Sequence, residues 1–296
     1  MKIGIFGQFY HQGSETYILQ ILGALQKENA DVYIEEDFFD IINRNGALNK
    51  NYKNFSTFEK LDASFNFFFS IGGDGTLLRA VTYVRNLGIP IVGINTGRLG
   101  FLASIHKEEI AGSIKKILQN EFSISKRSLV AVSTTPETDE FKKMNFALNE
   151  VAINRKNTTS MIKVETFVNG QYLNSYWSDG LIVATPTGST GYSLSCGGPV
   201  IDPSAKNLVI TPIAAHNLNA RPIVIPDNST LSLKVSGREN TFMASLDARI
   251  ATLKNNTAVH IKKAPFYVNL VQLNQDSFIA TLRKKLLWGE DKRNRQ

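Results

Sequence analysis

The sequence predicts an α/β domain with a parallel sheet at residues 1–121, then an all-β domain at residues 122–273, and a terminal helix with a basic tail at residues 274–296. Two observations predict this order. In the first part of the chain, apolar runs alternate with stretches of helical spacing, which is typical of a parallel sheet covered by helices. In the second part, short β-rich runs follow one another with almost no amphipathic helix.

The predicted elements of the first domain alternate in type. Apolar, β-favouring runs predict strands at residues 3–6, 31–36, 65–71 and 89–94. Apolar residues at helical spacing predict helices at residues 17–25, 77–87 and 107–119. Ser14 is a candidate N-cap for the first helix, and Gly88 ends the second. Residues 43–54 are rich in Asn and Lys and are predicted as an exposed loop.

The second domain is predicted from β-rich runs that are separated by turns. These runs are residues 128–133, 146–153, 162–168, 172–177, 181–184, 208–211, 230–235, 258–262 and 266–273. Asn169-Gly170 lies between two of them and is a strong signal for a two-residue hairpin. Phe278, Leu282 and Leu286 then predict a final helix. We expect it to pack on the first domain, because a terminal helix must bury its apolar face.

Composition excludes several classes of protein. The 296 residues are 43% hydrophobic and 20% charged, which is typical of a globular protein. No apolar run approaches the ~18 residues of a membrane-spanning helix. The apolar stretch near the first residue is too short for the apolar region of a secretion signal. The single cysteine, Cys196, excludes an internal disulfide and a cysteine-cluster zinc site. We therefore expect a cytoplasmic protein with no membrane contact.

The net charge of +7 is the difference between 33 Lys and Arg and 26 Asp and Glu. Residues 283–296 hold six basic and two acidic residues, so this terminal segment carries +4 of the total. Because the remaining charge is small and lacks interleaved aromatic residues, we expect no nucleic-acid partner. A mildly basic body suits an enzyme whose substrates are polyanions.

The first chemical motif is Gly72-Gly73-Asp74-Gly75-Thr76, between a predicted buried strand and a predicted helix. Its glycines let the backbone approach a ligand closely, and the N-terminus of a helix favours phosphate. A carboxylate beside phosphate is unusual unless it binds metal or accepts a proton. The spacing matches neither the Rossmann dinucleotide fingerprint nor a Walker A loop. The alternative is a tight turn in which Asp74 is the helix N-cap.

The second motif is the loop Thr185–Pro199, which follows the predicted strand 181–184. It combines closely spaced hydroxyl groups, glycines and one aromatic ring, Tyr192, and such a loop can wrap a nucleotide. It lacks the Gly-x-Ser-x-Gly spacing of a hydrolase nucleophile elbow. The alternative is a Ser- and Gly-rich surface loop.

Two further positions stand out in the β-rich part of the chain. Asn149-Glu150 lies within the apolar run 146–153, where a half-buried strand normally excludes an adjacent amide and carboxylate. The pair is able to bind ribose hydroxyls and a base edge, and the alternative is a strand edge with both residues in water. Asp179, in Ser178-Asp-Gly180, is by itself a turn signal.

Together these motifs resemble those of the NAD kinase family. Gly72–Thr76, Asn149-Glu150, Ser178–Gly180 and Ala184–Thr190 occur in that family's order and spacing, and the likeness covers nearly the whole chain. The resemblance implies a Rossmann-like α/β domain followed by an all-β domain, with the C-terminal helix returning to the first. It also implies transfer of the γ-phosphoryl group of ATP, or of another donor, to the 2′-hydroxyl of the adenosine ribose of NAD, giving NADP.

The resemblance implies roles for the residues of the first motif. Asp74 would be the general base beside the 2′-hydroxyl. Gly75 would approach NAD through its backbone, with Arg79 one helical turn further along. The phosphate-binding loop would consist of Gly72, Gly73, Gly75 and Thr76.

The resemblance also implies roles in the second domain. Asn149 and Glu150 would hold the adenosine part of NAD, and Asp179 would recognise the nicotinamide side. The residues expected to line the NAD cleft are Thr187, Thr190, Gly191, Tyr192, Ser193, Leu194 and Ser195. Two positions depart from the family pattern: Gly191 replaces a frequent alanine, and Asp247-Ala-Arg249 replaces a frequent Asp-Gly-Gln. We therefore assign no nucleotide contact to Arg249.

A divalent metal, Mg²⁺, is the cofactor that the resemblance implies, and no residue is assigned as its ligand. The expected partners are NAD and ATP as small-molecule substrates and further copies of the chain in a homo-oligomer, a tetramer or a dimer. Three other classes remain open at this point. They are a lipid kinase with the same glycine motif, a dinucleotide sensor without catalysis, and a nucleic-acid binder.

Overall fold

The computed structural model describes residues 1–8, 14–44, 55–97, 100–142, 144–156, 159–273 and 277–287. The chain divides into two compact units. The first unit consists of Met1–Lys126 and Val268–Gln296, and the second unit is Arg127–Tyr267. Most of the predicted loop 43–54 and the end of the predicted basic tail, from residue 288 onward, lie outside the described residues.

The first unit alternates parallel strands with helices, as the sequence predicts. Its strands are β1 (Lys2–Gly7), β2 (Asp31–Glu35), β3 (Phe55–Phe58), β4 (Phe67–Gly72), β5 (Ile91–Asn95) and β6 (Ile105–His106). Its helices up to this point are α1 (Ser14–Lys27), α2 (Glu36–Arg44), α3 (Asp74–Val84) and α4 (Ile110–Leu118). The strands pair in the order β5-β4-β1-β2-β3, all parallel. The central strands are buried, because helices pack against the sheet.

Helix α2 and the short strands β3 and β6 were not predicted from the sequence. The predicted strand ran through Glu36, whereas β2 ends at Glu35 and a helix begins at the next residue. Glu35 accepts the backbone N–H of Phe38 at 2.9 Å and so serves as a helix cap, although glutamate is not among the usual N-cap residues. Phe38 and Ile42, four residues apart, are the buried face of this short helix.

The second unit is all-β, which confirms the predicted change of structure. Its strands are β7 (Ser123–Thr135), β8 (Phe146–Ala147), β9 (Glu150–Asn154), β10 (Ile162–Val168), β11 (Gln171–Ser178), β12 (Gly180–Ala184), β13 (Asn207–Ile213), β14 (Ile223–Pro226), β15 (Leu231–Ser236), β16 (Thr241–Leu246), β17 (Arg249–Lys254) and β18 (Ala258–Gln272). One antiparallel sheet has the order β14-β13-β12-β9-β16-β17, and another path runs β11-β10-β15-β18. A short helix, α5 (Tyr192–Ser195), interrupts the strands.

Two details of this unit depend on local sequence. Asn169 and Gly170 both have positive φ, 50° and 79°, and form the predicted hairpin between β10 and β11. The predicted strand 146–153 is broken, because β8 ends at Ala147 and β9 starts at Glu150. Asn149-Glu150 therefore lies at a strand start instead of inside a strand.

The chain then returns to the first unit. Val268 and the residues after it belong there, and Leu270 of β18 pairs with Ile91 of β5 in parallel. Helix α6 (Phe278–Leu286) follows, with the Ser277 hydroxyl accepting the N–H of Ala280 as its N-cap. This confirms the predicted return of the final helix. Within the described ranges, no helix combines the length and apolarity needed to cross a membrane.

Candidate active site

The turn between β4 and α3 places Asp74 at the first position of the helix. The N-cap of α3 is Gly73, and no side chain caps the helix. The Asp74 carboxylate accepts hydrogen bonds from another loop. Its Oδ2 accepts the backbone N–H of Phe101 at 2.7 Å. Its Oδ1 accepts those of Leu102 and Ala103 at 3.0 and 3.1 Å. The alternative in which Asp74 is the helix N-cap is therefore wrong.

The glycines of this turn differ in what they require. Gly72 has a φ of +151°, and a Cβ there would overlap the side chain of Thr76, so the fold itself demands glycine. Gly73 and Gly75 are exposed, and a Cβ at either would meet no atom of the described residues within 4 Å. Arg79 is exposed further along α3. The space beside Gly73 and Gly75 is thus open to a ligand.

Sequence reasoning missed the loop that holds Asp74. Its donors are backbone groups of Phe101, Leu102 and Ala103, so their apolar side chains give no sign of a polar role. Gly100 carries a signal, since a Cβ at that position would overlap the Asp74 carboxylate. Hydrogen bonds from three N–H groups to one ionised carboxylate are individually strong, and together they fix its orientation.

The segment Leu148–Glu150 of the second unit is held by two residues distant in sequence. Asp247 accepts all three of its backbone N–H groups, at 2.9, 2.8 and 3.2 Å in chain order. Thr185 donates its hydroxyl to the carbonyl of Leu148 at 2.6 Å and its N–H to that of Asn149 at 2.8 Å. The carbonyl of Glu150 accepts the N–H of Asp247 at 3.0 Å. Each backbone polar group of the segment therefore has a partner, which explains the break in the predicted strand.

The side chains of this segment are less well paired than its backbone. Asn149 Oδ1 and Glu150 Oε2 are buried, and neither has a hydrogen-bond partner among the described residues. Burial, and then the negative charge of Asp247, raise the pKa of Glu150 to about 8, while the N–H of Tyr192 opposes the rise. Unpaired buried oxygens are costly, so this pair is a candidate for binding a ligand's hydroxyl or amino groups.

The start of the loop 185–199 packs tightly against the same segment. A Cβ at Gly188 would overlap the backbone carbonyl of Asn149. Gly188 donates its N–H to the Thr185 hydroxyl at 3.1 Å, which closes the turn. A Cβ at Gly191 would lie 3.3 Å from Glu150 Oε2, so the alanine frequent in the family would fit here only with a small shift.

The predicted cleft-lining residues differ in their exposure. Thr187 is buried, and its hydroxyl lies 3.5 Å from Arg127 Nη1. Ser193 is fully buried, and its hydroxyl pairs with that of Thr211 at 2.8 Å. Tyr192 is 40% exposed. The remaining predicted residues are partly or fully exposed, and they are Thr190, Gly191, Leu194 and Ser195.

Asp179 is paired with a basic residue that sequence reasoning did not select. Arg155 Nε lies 2.9 Å from Asp179 Oδ1, and Arg155 Nη2 lies 3.3 Å from Oδ2. The Arg155 N–H also donates to the backbone carbonyl of Asp179 at 2.9 Å. This two-point pair fixes the carboxylate plane at the start of β12.

Arg249 contacts the residues that lead into Leu148–Glu150. Its Nη1 donates to the carbonyl of Met144 at 3.0 Å, and its Nη2 donates to the carbonyl of Phe146. The guanidinium also lies over the Phe146 ring, 5.3 Å from its centroid.

In the part of the chain that the structure describes, no group of three or more His, Cys, Asp and Glu residues is placed to hold a metal ion. Both oxygens of the Asp74 carboxylate accept hydrogen bonds, and the Asp179 carboxylate is paired with Arg155.

Comparison with known families matches both halves of the chain. The model of the ATP-NAD kinase N-terminal domain matches residues 3–122, and that of the ATP-NAD kinase C-terminal domain matches residues 148–273. An NAD kinase from Christiangramia forsetii is 60% identical over 294 residues, which are 99% of this chain and 100% of that protein. An NAD kinase from Flavobacterium psychrophilum is 54% identical over the same length, with the same coverage of both chains.

Solved structures share the fold. Yeast NADH kinase complexed with NADH gives a TM-score of 0.86 at 19% identity, over 100% of this chain and 90% of that one. An NAD kinase from Archaeoglobus fulgidus in complex with ATP gives 0.73 at 25% identity, over 97% and 99%. Fold, motifs and relatives define an enzyme of the phosphotransferase class. The chain belongs to the NAD kinase family, whose reaction is the phosphorylation of NAD to NADP.

Proposed function

We propose that in this chain Asp74 is the general base that takes the proton of the NAD 2′-hydroxyl as ATP transfers its γ-phosphoryl group. The observation that carries this role is the Asp74 carboxylate, fixed by three backbone N–H groups beside two glycines with open space around them. Phosphoryl transfer depends mainly on positioning and charge stabilisation. A fixed carboxylate beside an open turn is able to position the 2′-hydroxyl. A general base at this place typically raises the rate about 10²–10⁴-fold.

The phosphates belong at the N-terminus of α3 in this proposal. Gly73 and Gly75 are exposed there, and the helix dipole and free N–H groups favour anions. Arg79, exposed on the same helix, adds positive charge. Mg²⁺ would be held by the phosphates of the donor, as the ion commonly is in sites of phosphoryl transfer, and it would neutralise part of their negative charge.

The adenosine part of NAD is assigned to Asn149 and Glu150. Their unpaired, buried oxygens are suited to the hydroxyl and amino groups of a nucleoside. At neutral pH the raised pKa leaves Glu150 largely protonated in the free protein, so it is able to donate as well as accept. Asp179, held by Arg155, is assigned to the nicotinamide side. Tyr192 and the exposed loop residues around it are assigned to the walls of the NAD cleft.

The setting of the enzyme is also part of the proposal. A single cysteine suits a reducing cytoplasm. Self-association is supported by strand β11, whose side chains Tyr172 and Trp177 are 59% and 48% exposed. Light scattering of the wild type and of Trp177→Ser tests it. A smaller particle for the variant is expected, and a monomeric wild type would contradict the oligomer.

The experiment for Asp74 compares the wild type with Asp74→Asn. Asparagine keeps the shape but cannot act as the base, so we expect kcat to fall about 10²–10⁴-fold. It also loses one acceptor oxygen for the 101–103 loop, so thermal unfolding is measured on the same samples. NAD binding by calorimetry is expected to persist. Full turnover in a folded variant would contradict the general base. A wild type that binds NAD without making NADP would favour the sensor alternative.

A further inference from the structure

We propose that Asp247 and Arg249 are positioning residues of the acceptor site, which set the places of Asn149 and Glu150 through the backbone of residues 144–150. The inference rests on the proposed role of Asn149 and Glu150 in holding adenosine. Neither positioning residue is given a contact with substrate. Both act through hydrogen bonds to backbone groups of the preceding segment.

The position of Asp247 is determined by the sheet. Strand β16 pairs with β9, with Leu246 opposite Val151, and Asp247 is the next residue along the chain. Its backbone has a φ of +51°, which is uncommon for a residue with a Cβ, and it turns the chain into β17. From there its carboxylate reaches all three N–H groups of Leu148–Glu150. The pairing of β16 with β9 thus fixes the position of Asp247, and the Asp247 carboxylate in turn fixes the backbone of Leu148–Glu150.

A carboxylate suits this place better than an amide does. Asp247 Oδ1 accepts two N–H groups and Oδ2 accepts one, so both oxygens are used. In Asn the second oxygen becomes an NH₂ group, which would face a backbone donor and leave it unpaired. Burial is the largest influence and raises the pKa of Asp247, while the three N–H groups and the charge of Arg249 lower it and so offset part of the rise.

Arg249 fixes the approach to the same segment. It holds the carbonyls of Met144 and Phe146 and lies over the Phe146 ring. Two carbonyls and a ring face match a planar guanidinium, which donates from a rigid fork and stacks on aromatic faces. The guanidinium of Arg249 is engaged by these two carbonyls and this ring. An arginine in place of the glutamine frequent in the family is therefore explained by its role in positioning the segment that leads to Asn149 and Glu150.

The expected effect is selective for the acceptor. When residues 148–150 shift, the unpaired oxygens of Asn149 and Glu150 move with them. A misplaced pocket binds NAD more weakly, whereas the turn around Asp74 keeps its own hydrogen bonds in the first unit. We expect Asp247→Asn to raise KM for NAD about tenfold or more and KM for ATP less than about twofold.

The matched control is Asp227→Asn. Asp227 lies in the same unit, is partly buried, and loses an ion pair with Lys263 when it is neutralised. Within the described residues it makes no hydrogen bond or ion pair with residues 144–150. We expect this variant to keep both Michaelis constants within about twofold of the wild type. Thermal unfolding of both variants shows whether each is folded at the assay temperature.

A second readout separates positioning from general loss of stability. The groups whose charge or hydrogen bonding acts on the Glu150 carboxyl are Asp247 and Tyr192. Removing the Asp247 charge is expected to lower the pH at which NAD affinity changes through Glu150 titration. Asp227→Asn is expected to leave that pH unchanged. The pH shift shows that the Asp247 charge acts on Glu150 in the folded variant, and a purely structural role for Asp247 would leave the ratio of the two Michaelis constants unchanged.

Arg249 supplies the second variant, in case Asp247→Asn does not fold. Arg249→Met removes both carbonyl contacts and is expected to raise KM for NAD, and Arg249→Lys is expected to recover part of the loss. Unchanged NAD affinity in folded variants, or equal rises in both Michaelis constants, would overturn the positioning role. A wild type that makes no NADP would refute the proposed function itself.

Discussion

Asp247 Oδ1 accepts the backbone N–H of Glu150 at 3.2 Å, and this carboxyl group lies close enough to the Glu150 carboxyl group for its charge to raise the pKa of Glu150. Burial is the larger cause of the raised pKa of Glu150, about 8, and the charge of Asp247 is the next. The carboxylate that holds the segment in place therefore also raises, through its charge, the cost of ionising Glu150.

The first prediction concerns the pH dependence of stability in Glu150→Gln. The folded pKa is about 8 and the ordinary value is 4.5, so between these values the folded state binds more protons than the unfolded state. Wild-type stability therefore falls as pH rises through this window. The variant has no such loss, so its unfolding temperature relative to the wild type is expected to increase from about pH 5 to about pH 9.

Glu165→Gln is the control for this series. Hydrogen bonding and charge from Lys163 lower the pKa of Glu165, so its neutralisation removes stability that is present above its ordinary pKa. That change lies below pH 4.5, so from about pH 5 to about pH 9 the stability difference of Glu165→Gln is expected to stay constant, whereas that of Glu150→Gln changes. A stability difference for Glu150→Gln that does not change with pH would contradict the raised pKa.

The second prediction compares two glycines. Gly75 is the second residue of α3 with open space around it, so Gly75→Ala is expected to stabilise the fold by up to about 1 kcal/mol. Gly188→Ala places a Cβ inside the carbonyl of Asn149 and is expected to cost about 1–3 kcal/mol or more. Urea unfolding measures both.

Kinetics of Gly75→Ala complete the comparison. A ligand that approaches the Gly75 backbone would meet the new methyl group, so KM for NAD is expected to rise even though the fold is not weakened. Unaltered kinetic constants in Gly75→Ala would show that no substrate comes close to this residue.

The third prediction concerns Arg155. In Arg155→Met the Asp179 carboxylate loses its two-point partner, and KM for NAD is expected to rise about three- to tenfold. The loss of stability is expected to stay below about 1 kcal/mol, because the pair is about one-third exposed. Lys163→Met is the matched control, since the Lys163–Glu165 pair has the same exposures, 30% and 34%. Similar kinetics in both variants would argue against a role of Asp179 toward NAD.

The fourth prediction concerns metal removal. A chelator is expected to abolish phosphoryl transfer and to leave the unfolding temperature of the nucleotide-free protein unchanged, because the ion enters with the donor. Added Mg²⁺ is expected to restore turnover. A lower unfolding temperature after chelation, without nucleotide, would indicate a resident ion.

The sequence predicted the parts of this structure that depend on local pattern. Alternating apolar runs and helical spacing identified the parallel sheet, and Asn169-Gly170 identified a hairpin. Helix α2 was not predicted, because its N-cap is a glutamate, Glu35, which is not a usual N-cap residue. The strand break at residues 148–149 was not predicted, because the residue that causes it, Asp247, lies almost a hundred residues further along the chain.

The same limit applies to the candidate site. The motifs selected Asp74, Asn149, Glu150 and Asp179, which carry distinctive chemistry at distinctive places. Their partners are backbone N–H groups at residues 101–103 and side chains such as Arg155. Backbone donors leave no trace in residue type, and one arginine among many has no local signature. Long-range pairing of this kind requires the folded chain.

The division of the first unit has a consequence for how the protein is made. A ribosome releases residues 1–126 first, yet Val271 and Leu273, which are buried in the core of that unit, emerge only after the whole second unit. Until then the Ile91 end of β5 lacks Leu270, and unpaired strand edges favour aggregation. About 140 residues must therefore be translated, which takes at least several seconds at ordinary translation rates, before the first unit is able to complete its core.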